Sequence, residues 1–347
     1  DYSATTQISP APPTAASPFR VPDWWIQYRE PLYAAWDGSW YADFQRTAEM
    51  AVWYYNNGNN PQRPVAGAFG IDLYGVEMLL DVIGPVAVPG YDVVVTIDTF
   101  REAVYNIRAF GTDNEHKRFV GAMYREIFGR WQNVGDDQQV SAQILGVMLR
   151  ALQEKHLMIY FADERLNEIM GYLGWSGAQS PAIDHDYLMV ADANLGNKSN
   201  RSILRQITYD VAINADGRLD SRTTIAYDYP RALAEADPAV DAEYHGPLNY
   251  ANLLQVFTPV GSRLTPTDDL PGAVDVVDDP AHTIFISRLR VEYGGGERIQ
   301  LPYTSLSLIE NLGSYRRYRL LIQKQAGTPP DLVNVQVSLP PQAQLVH

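Results

Sequence analysis

The sequence holds no cysteine. That excludes disulfides, thiolate metal sites, iron–sulfur clusters and a cysteine nucleophile, and it leaves the redox compartment open. Basic charge is scarce: 27 Lys and Arg stand against 41 Asp and Glu, a net charge of −14. A protein that binds a phosphate backbone needs a basic footprint, so nucleic acid is not expected as a partner. Long apolar runs are missing too. No stretch reaches the roughly 18 residues that read as a membrane span, and the first residues do not form a secretory signal. Signatures of nucleotide, serine-hydrolase and zinc-protease sites (G-x-x-x-x-G-K-[ST], G-x-G-x-x-G after a strand, G-x-S-x-G, H-E-x-x-H) are absent. The six histidines are scattered, and none lies three or four residues from another.

What is present is a folded chain. Of 347 residues, 46% are apolar and 20% charged, which excludes wholesale disorder. At about 150 residues per domain, the length suggests two domains. The 22 Tyr, 10 Phe and 7 Trp can fill sizeable cores. Pro10, Pro12, Pro13 and Pro18 lie among Ser, Thr and Ala, so 1–22 reads as a proline-rich linker or strap. The chain begins at Asp1 rather than Met, as a processed or cut chain would.

Residues 23–200 alternate helical periodicity with short apolar runs. Helices are expected from Phe44, over Leu73 to Val82 with a stop at Gly84-Pro85, from an Asp98 N-cap to Arg108, and over Asn114–Trp131, Gln138–Lys155 and Glu164–Leu173. Ala66–Asp72, Val93–Ile97, Leu157–Phe161 and Tyr187–Ala191 read as strands. After residue 200 the pattern turns to β. Ile207–Ile213 and Arg218–Tyr229 flank Asn214-Ala-Asp-Gly217, a hairpin turn, and Gly294-Gly-Gly296 is a second one. Further strands are expected over Leu253–Phe257, Thr283–Tyr293, Glu297–Ser307, Tyr315–Lys324 and Leu332–Leu339. The expected fold class is α+β: an N-terminal α/β layered domain over 23–200, then a C-terminal antiparallel β-sandwich over 201–347.

Several clusters invite a chemical reading. Asp113-Asn-Glu-His-Lys-Arg118 opens a helix, where acids complement the N-terminus. Helix capping is the plain reading. The sharper one is an anion or pyrophosphate contact by Arg118 with Arg101, Arg108 or Arg125, since guanidinium forks suit phosphate oxygens. Asp72 and Asp113 are then candidate catalytic residues, holding a magnesium ion or acting as base. Asp192-Ala-Asn-Leu-Gly-Asn-Lys198 follows an apolar strand, so Asp192, Asn194, Asn197 and Lys198 are candidate ligand contacts. The same residues equally suit a turn that bonds its own backbone. Asn197 and Asn200 match the glycosylation pattern. Asp184-His-Asp186 reads as a turn or the start of a strand rather than a metal site, because neighbours on a strand face opposite ways. The segment 209–281 carries thirteen acids and four bases, including Asp268-Asp269 and Asp278-Asp279. It reads as solvated loop surface, with a calcium site as the alternative. Otherwise no metal or cofactor is expected. Residues 24–55 are rich in Trp and Tyr. Core packing explains that, and a glycan-stacking surface of Trp24, Trp25 and Trp36 is the other reading.

The order of motifs adds a resemblance. Tyr41-Ala-Asp-Phe44, Phe69-Gly-Ile-Asp72, Gly84-Pro-Val-Ala-Val-Pro89, Lys155-His156, Gly174-Trp175, Asp186 to Asn194, Asn197-Lys198, Pro259-Val-Gly-Ser262 and Gln323-Lys-Gln-Ala-Gly327 follow one another in the chain. From about residue 36 to residue 340, this resembles the bacterial proteins that carry domain of unknown function 4012. The resemblance implies a cell-envelope protein, membrane-anchored by an N-terminal helix, with its body at the cell surface and no established activity. The family's upstream Gly-Gly-Phe segment has no counterpart here, so another envelope protein, or that missing N-terminal segment, is expected to complete the first sheet. The first half is also faintly similar in layout to the LytR-CpsA-Psr envelope transferases: a strand ending in Asp72, a helix, a Gly84-Pro-Val86 turn and an Arg-bearing helix. Their dense arginine patterns are not reproduced. The expectation is therefore an extracytoplasmic structural or interaction protein. If the chain is an enzyme, it is a phosphoglycan-type transferase or polyprenyl-pyrophosphate binder with a lipid-linked glycan as partner. A glycan-binding surface protein is the third reading.

Overall fold

The structure, a computed structural model, describes residues 18–19, 22–25, 40–57, 63–106, 111–133, 137–267, 270, 272–341 and 343–346. Nearly all of the proline-rich lead, together with Trp36, Arg108 and Asp268-Asp269, lies outside these residues. The chain is mixed α and β, 31% helix and 33% strand, with sheets of mixed orientation. It divides into two compact units, residues 1–178 with 326–328 and residues 179–325 with 329–347. The boundary therefore falls before the Tyr187–Ala191 strand, not after it. That strand was expected in the first domain because it follows helices in sequence, yet its pairing partners all lie later in the chain.

In the first unit, helix α1 (Phe44–Asn57) buries both flanks. Ala48 and Val52 meet Tyr160, while Met50 and Tyr54 join Trp40 with Trp24, Trp25 and Trp53 around them. Strand β1 (Gly67–Ile71) leads to α2 (Leu73–Ile83), which Asp72 caps and Gly84 ends at φ +73°. The left-handed backbone there is the reason for glycine. β2 (Val86–Ala87) pairs with β3 (Val94–Val95). α3 (Ile97–Tyr105) is capped by Thr96, whose hydroxyl exchanges bonds with Thr99 in a capping box. The expected cap, Asp98, lies inside the first turn. α4 (Asp113–Gln132), α5 (Gln138–Gln153), β4 (Leu157–Phe161) and α6 (Glu164–Tyr172) complete the unit. β1 and β4 pair antiparallel, Ile71 beside Leu157. Val76, Leu80, Val86, Val95, Phe100, Phe119, Met123 and Ile127 form the main core, each burial contributing on the order of 1.5–3 kcal/mol.

The second unit begins with β5 (Asp186–Asn194), β6 (Leu204–Ile213) and β7 (Leu219–Asp228). β6 and β7 form the expected hairpin, with Gly217 at φ +85° in the turn. Short helices α7 (Arg231–Ala236) and α8 (Ala242–His245) follow. Then come β8 (Tyr250–Thr258), β9 (Arg263–Leu264), β10 (Val274–Asp278), β11 (Thr283–Val291) and β12 (Gly296–Ser305). The last strands are β13 (Ile309–Leu312), β14 (Tyr315–Tyr318), β15 (Leu320–Gln323) and β16 (Leu332–Ser338). One sheet runs β10-β11-β8-β5-β15 and the other β16-β6-β7-β12-β9. They share one apolar core, with Leu188, Val190, Leu254, Val256 and Phe285 from the first and Ile207, Val211, Ile225, Ile299 and Leu301 from the second. The expectation of a purely antiparallel arrangement is corrected at one edge of each sheet. β15 lies parallel to β5, and β16 parallel to β6. Asp278, expected in a loop, ends strand β10.

Candidate functional site

In the first unit, Asp72 closes β1 and begins α2. Its Oδ1 accepts the Gly75 amide at 2.7 Å, as an N-cap does. Its Oδ2 lies 2.7 Å from His156 Nδ1, and its own amide donates to the His156 carbonyl at 3.1 Å. The His156 ring is buried and sits on Tyr74, with centroids 5.4 Å apart. Glu154 Oε2 stands 3.9 Å from Nε2. A carboxylate that orients an imidazole through Nδ1 is the arrangement of a general base. Here the same contacts also tie the end of β1 to the start of β4.

Lys155, the residue before this histidine, has φ +60°, a left-handed conformation at the end of α5. Its carbonyl accepts the Gly327 amide at 2.9 Å, its ammonium donates to the Gly174 carbonyl, and burial lowers its pKa. Residues 326–328 thus belong to the first unit and lie beside Asp72. A Cβ on Gly327 would stand 3.9 Å from Asp72 Oδ2. The sequence points to Asp72 but not to His156 as its partner.

The described candidate arginines lie on two helices. Arg101, on α3, lies over the Tyr105 ring at 5.1 Å. Arg118 and Arg125 are exposed on α4, two turns apart. Arg108 and the Asp113 side chain lie outside the described features. Among the described residues there is no group of three His, Asp or Glu placed to hold a metal. Trp24 and Trp25 are half-buried against each other and against Trp40, with centroids 6.1 and 6.5 Å apart.

In the second unit, the residues after β5 separate. Asp192 turns inward and accepts from Tyr227, Tyr250 and Asn252, at 2.8, 3.0 and 2.6 Å. Arg205 Nη1 lies 3.0 Å from Asp192, and its other two nitrogens bind Asp331 as a fork at 2.8 and 2.7 Å. Burial pushes the Arg205 guanidinium down, and the Asp192 and Asp331 carboxylates push it up, for a net rise. Burial first, and then Asp192, raises Tyr227 and Tyr250. Asn194 instead bonds Asn200 and Gly196, and Asn197 donates to the Pro247 carbonyl at 2.7 Å and accepts from Ser199. This is the self-bonded turn. Asn197 is fully buried with its amide nitrogen engaged, which opposes its use as a glycan acceptor, whereas Lys198 and Asn200 are exposed.

Asp186, read from sequence as a strand start, is fully buried. It accepts from Tyr209 at 2.8 and 3.0 Å, from the Tyr318 hydroxyl, and from the Tyr187 amide at 2.9 Å. Burial raises its pKa against those hydrogen bonds. Asp184 is exposed, and bonds from His185 and Arg319 hold its carboxyl low. Arg205 and Asp331 were missed because they lie 126 residues apart. Asp186 and Asp192 carried a readable signal: they share the parity of Leu188 and Val190 on one strand.

Compared with known protein families, curated proteins and solved structures, the chain matches none.

Proposed function

We propose that this chain is an extracytoplasmic cell-envelope protein with a structural or interaction role. The observation that supports the interaction role is helix α6. Leu166, Ile169, Tyr172 and Leu173 recur at helical spacing, and all four are exposed, Tyr172 at 92%. An exposed apolar stripe on a helix is a surface for a partner. α5 adds exposed Leu145 and Leu149, one turn apart. The envelope location and the membrane anchor rest on the ordered motifs from Tyr41 to Gly327. The finer architecture proposed with it, an α/β layered domain followed by a β-sandwich-like domain, is supported by the single core shared by the two five-stranded sheets.

A photo-crosslinking side chain at Tyr172, in intact cells, tests this reading. The expected result is a discrete adduct with another envelope protein at Tyr172 and none at exposed Arg298. No adduct at Tyr172, with the protein recovered in the cytosolic fraction, would overturn it.

One observation favours a second reading. Asp72, placed at the strand end where the LytR-CpsA-Psr layout has its aspartate, holds a buried histidine. A polyprenyl-pyrophosphate binder or glycopolymer transferase would use this pair. Calorimetric titration with a polyprenyl pyrophosphate and magnesium should then show binding that Asp72→Asn abolishes. A flat titration sinks the reading.

A further inference from the structure

The four edges of the two five-stranded sheets are treated differently. β9 has two residues and β15 four, too short to template another chain. β10 carries Asp275 and Asp278, charges that repel a copy of itself. These are the usual guards of a sheet edge. β16 has none of them. It spans seven residues, Leu-Val-Asn-Val-Gln-Val-Ser, without a charge or a proline. Among the described residues, no strand lies on its outer side.

Its side chains are only half provided for. Val333, Val335 and Val337 stand beside Ile207, Tyr209 and Val211 of β6, on the side that faces the core. Val333 packs against that core, yet Val335 remains 43% and Val337 40% exposed. The core side of the strand therefore runs on past its cover.

We propose that β16 is the pairing edge for a second copy of this chain, the two β16 strands lying antiparallel about Val335. The sequence selects that partner, because Val333 to Val337 reads the same in both directions by residue class. In this register Val335 faces its own copy, Val333 faces Val337, and Asn334 faces Gln336. Each valine row then meets a valine row, and each carboxamide meets a carboxamide that can both donate and accept. No charge is brought against a like charge, although the whole chain carries −14. A charged peptide would find no counter-charge on the strand. The two copies would join their sheets into one, as in strand addition.

Sedimentation of the full chain over a range of concentrations provides the test. A monomer–dimer equilibrium is expected, and Val335→Lys, which sets two ammonium groups face to face, should weaken it by about tenfold or more. Because the chain has no cysteine, Val335→Cys gives a second, independent readout. It should form a covalent dimer on mild oxidation, while Glu297→Cys, on β12 of the same sheet, should not. A chain that stays monomeric at its highest attainable concentration, or Val335→Cys that crosslinks no faster than Glu297→Cys, would overturn the proposal. So would a dimer indifferent to Val335→Lys. The α6 face lies in the other unit, so failure of this test leaves that reading untouched.

Discussion

Asp186 and Asp192 stand six residues apart on β5 and turn the same way, into the core shared by the two sheets, where they are met differently. Asp192 meets a guanidinium, Arg205, at 3.0 Å. Asp186 meets the hydroxyls of Tyr209 and Tyr318. Burial pushes Asp186, held by those hydroxyls and the Tyr187 amide, toward its neutral form.

That difference predicts a pH dependence. An unfolded aspartate ionises near pH 3.9, and burial raises the folded value of Asp186. The stability contributed by its neutral form is complete below the unfolded value and is lost as pH rises through the folded one. Asp186→Asn keeps the shape and cannot ionise. The melting temperature of the variant minus that of the wild type should therefore grow from about pH 4 to about pH 7. Thermal melts across that range check it. A difference independent of pH would mean that Asp186 titrates as an exposed carboxylate.

Much of the local structure was legible because its causes are local. Gly217 and Gly84 hold positive φ where a turn and a helix end require it, and the helices over 44–57, 113–132 and 138–153 follow their apolar spacing. The single strand expected over 315–324 divides at Arg319 instead: β14 pairs with β13, and β15 joins β5 in the other sheet. A change of pairing partner leaves the alternation of side chains untouched, so periodicity is blind to it. The Asp72–His156 contact spans 84 residues, and only the closing of β1 on β4 creates it. Thr96 outcompeted Asp98 as the cap because its reciprocal bond with Thr99 satisfies two backbone donors. A single acid one turn in satisfies none.

The backbone at Lys155 offers a cleaner comparison. Its φ of +60° lies in the left-handed region, where a Cβ is strained. Lys155→Gly and Lys155→Ala both remove the ammonium that binds the Gly174 carbonyl. They differ in the backbone alone. The glycine variant should be the more stable of the two by about 1 kcal/mol, after its greater unfolded-state entropy is counted. Urea denaturation with equal slopes measures the difference. An alanine variant as stable as the glycine one would show that the turn relaxes out of that region.

Arg205 should be the most costly single charge to remove from the second unit. Its side chain and those of Asp192 and Asp331 are only 8, 10 and 13% exposed. Replacing Arg205 by Met keeps the length and some of the packing but leaves two carboxylates without their cation. Breaking a buried ion network in this way costs about 3–5 kcal/mol. Asp192 retains the donors Tyr227, Tyr250 and Asn252, whereas Asp331 loses its bidentate partner. Adding Asp331→Leu to Arg205→Met should therefore recover more stability than adding Asp192→Leu, which would orphan three donors. Urea denaturation of the three variants separates these outcomes. If Arg205→Met costs less than about 1 kcal/mol, the value of an exposed pair, then water reaches the network and screens it.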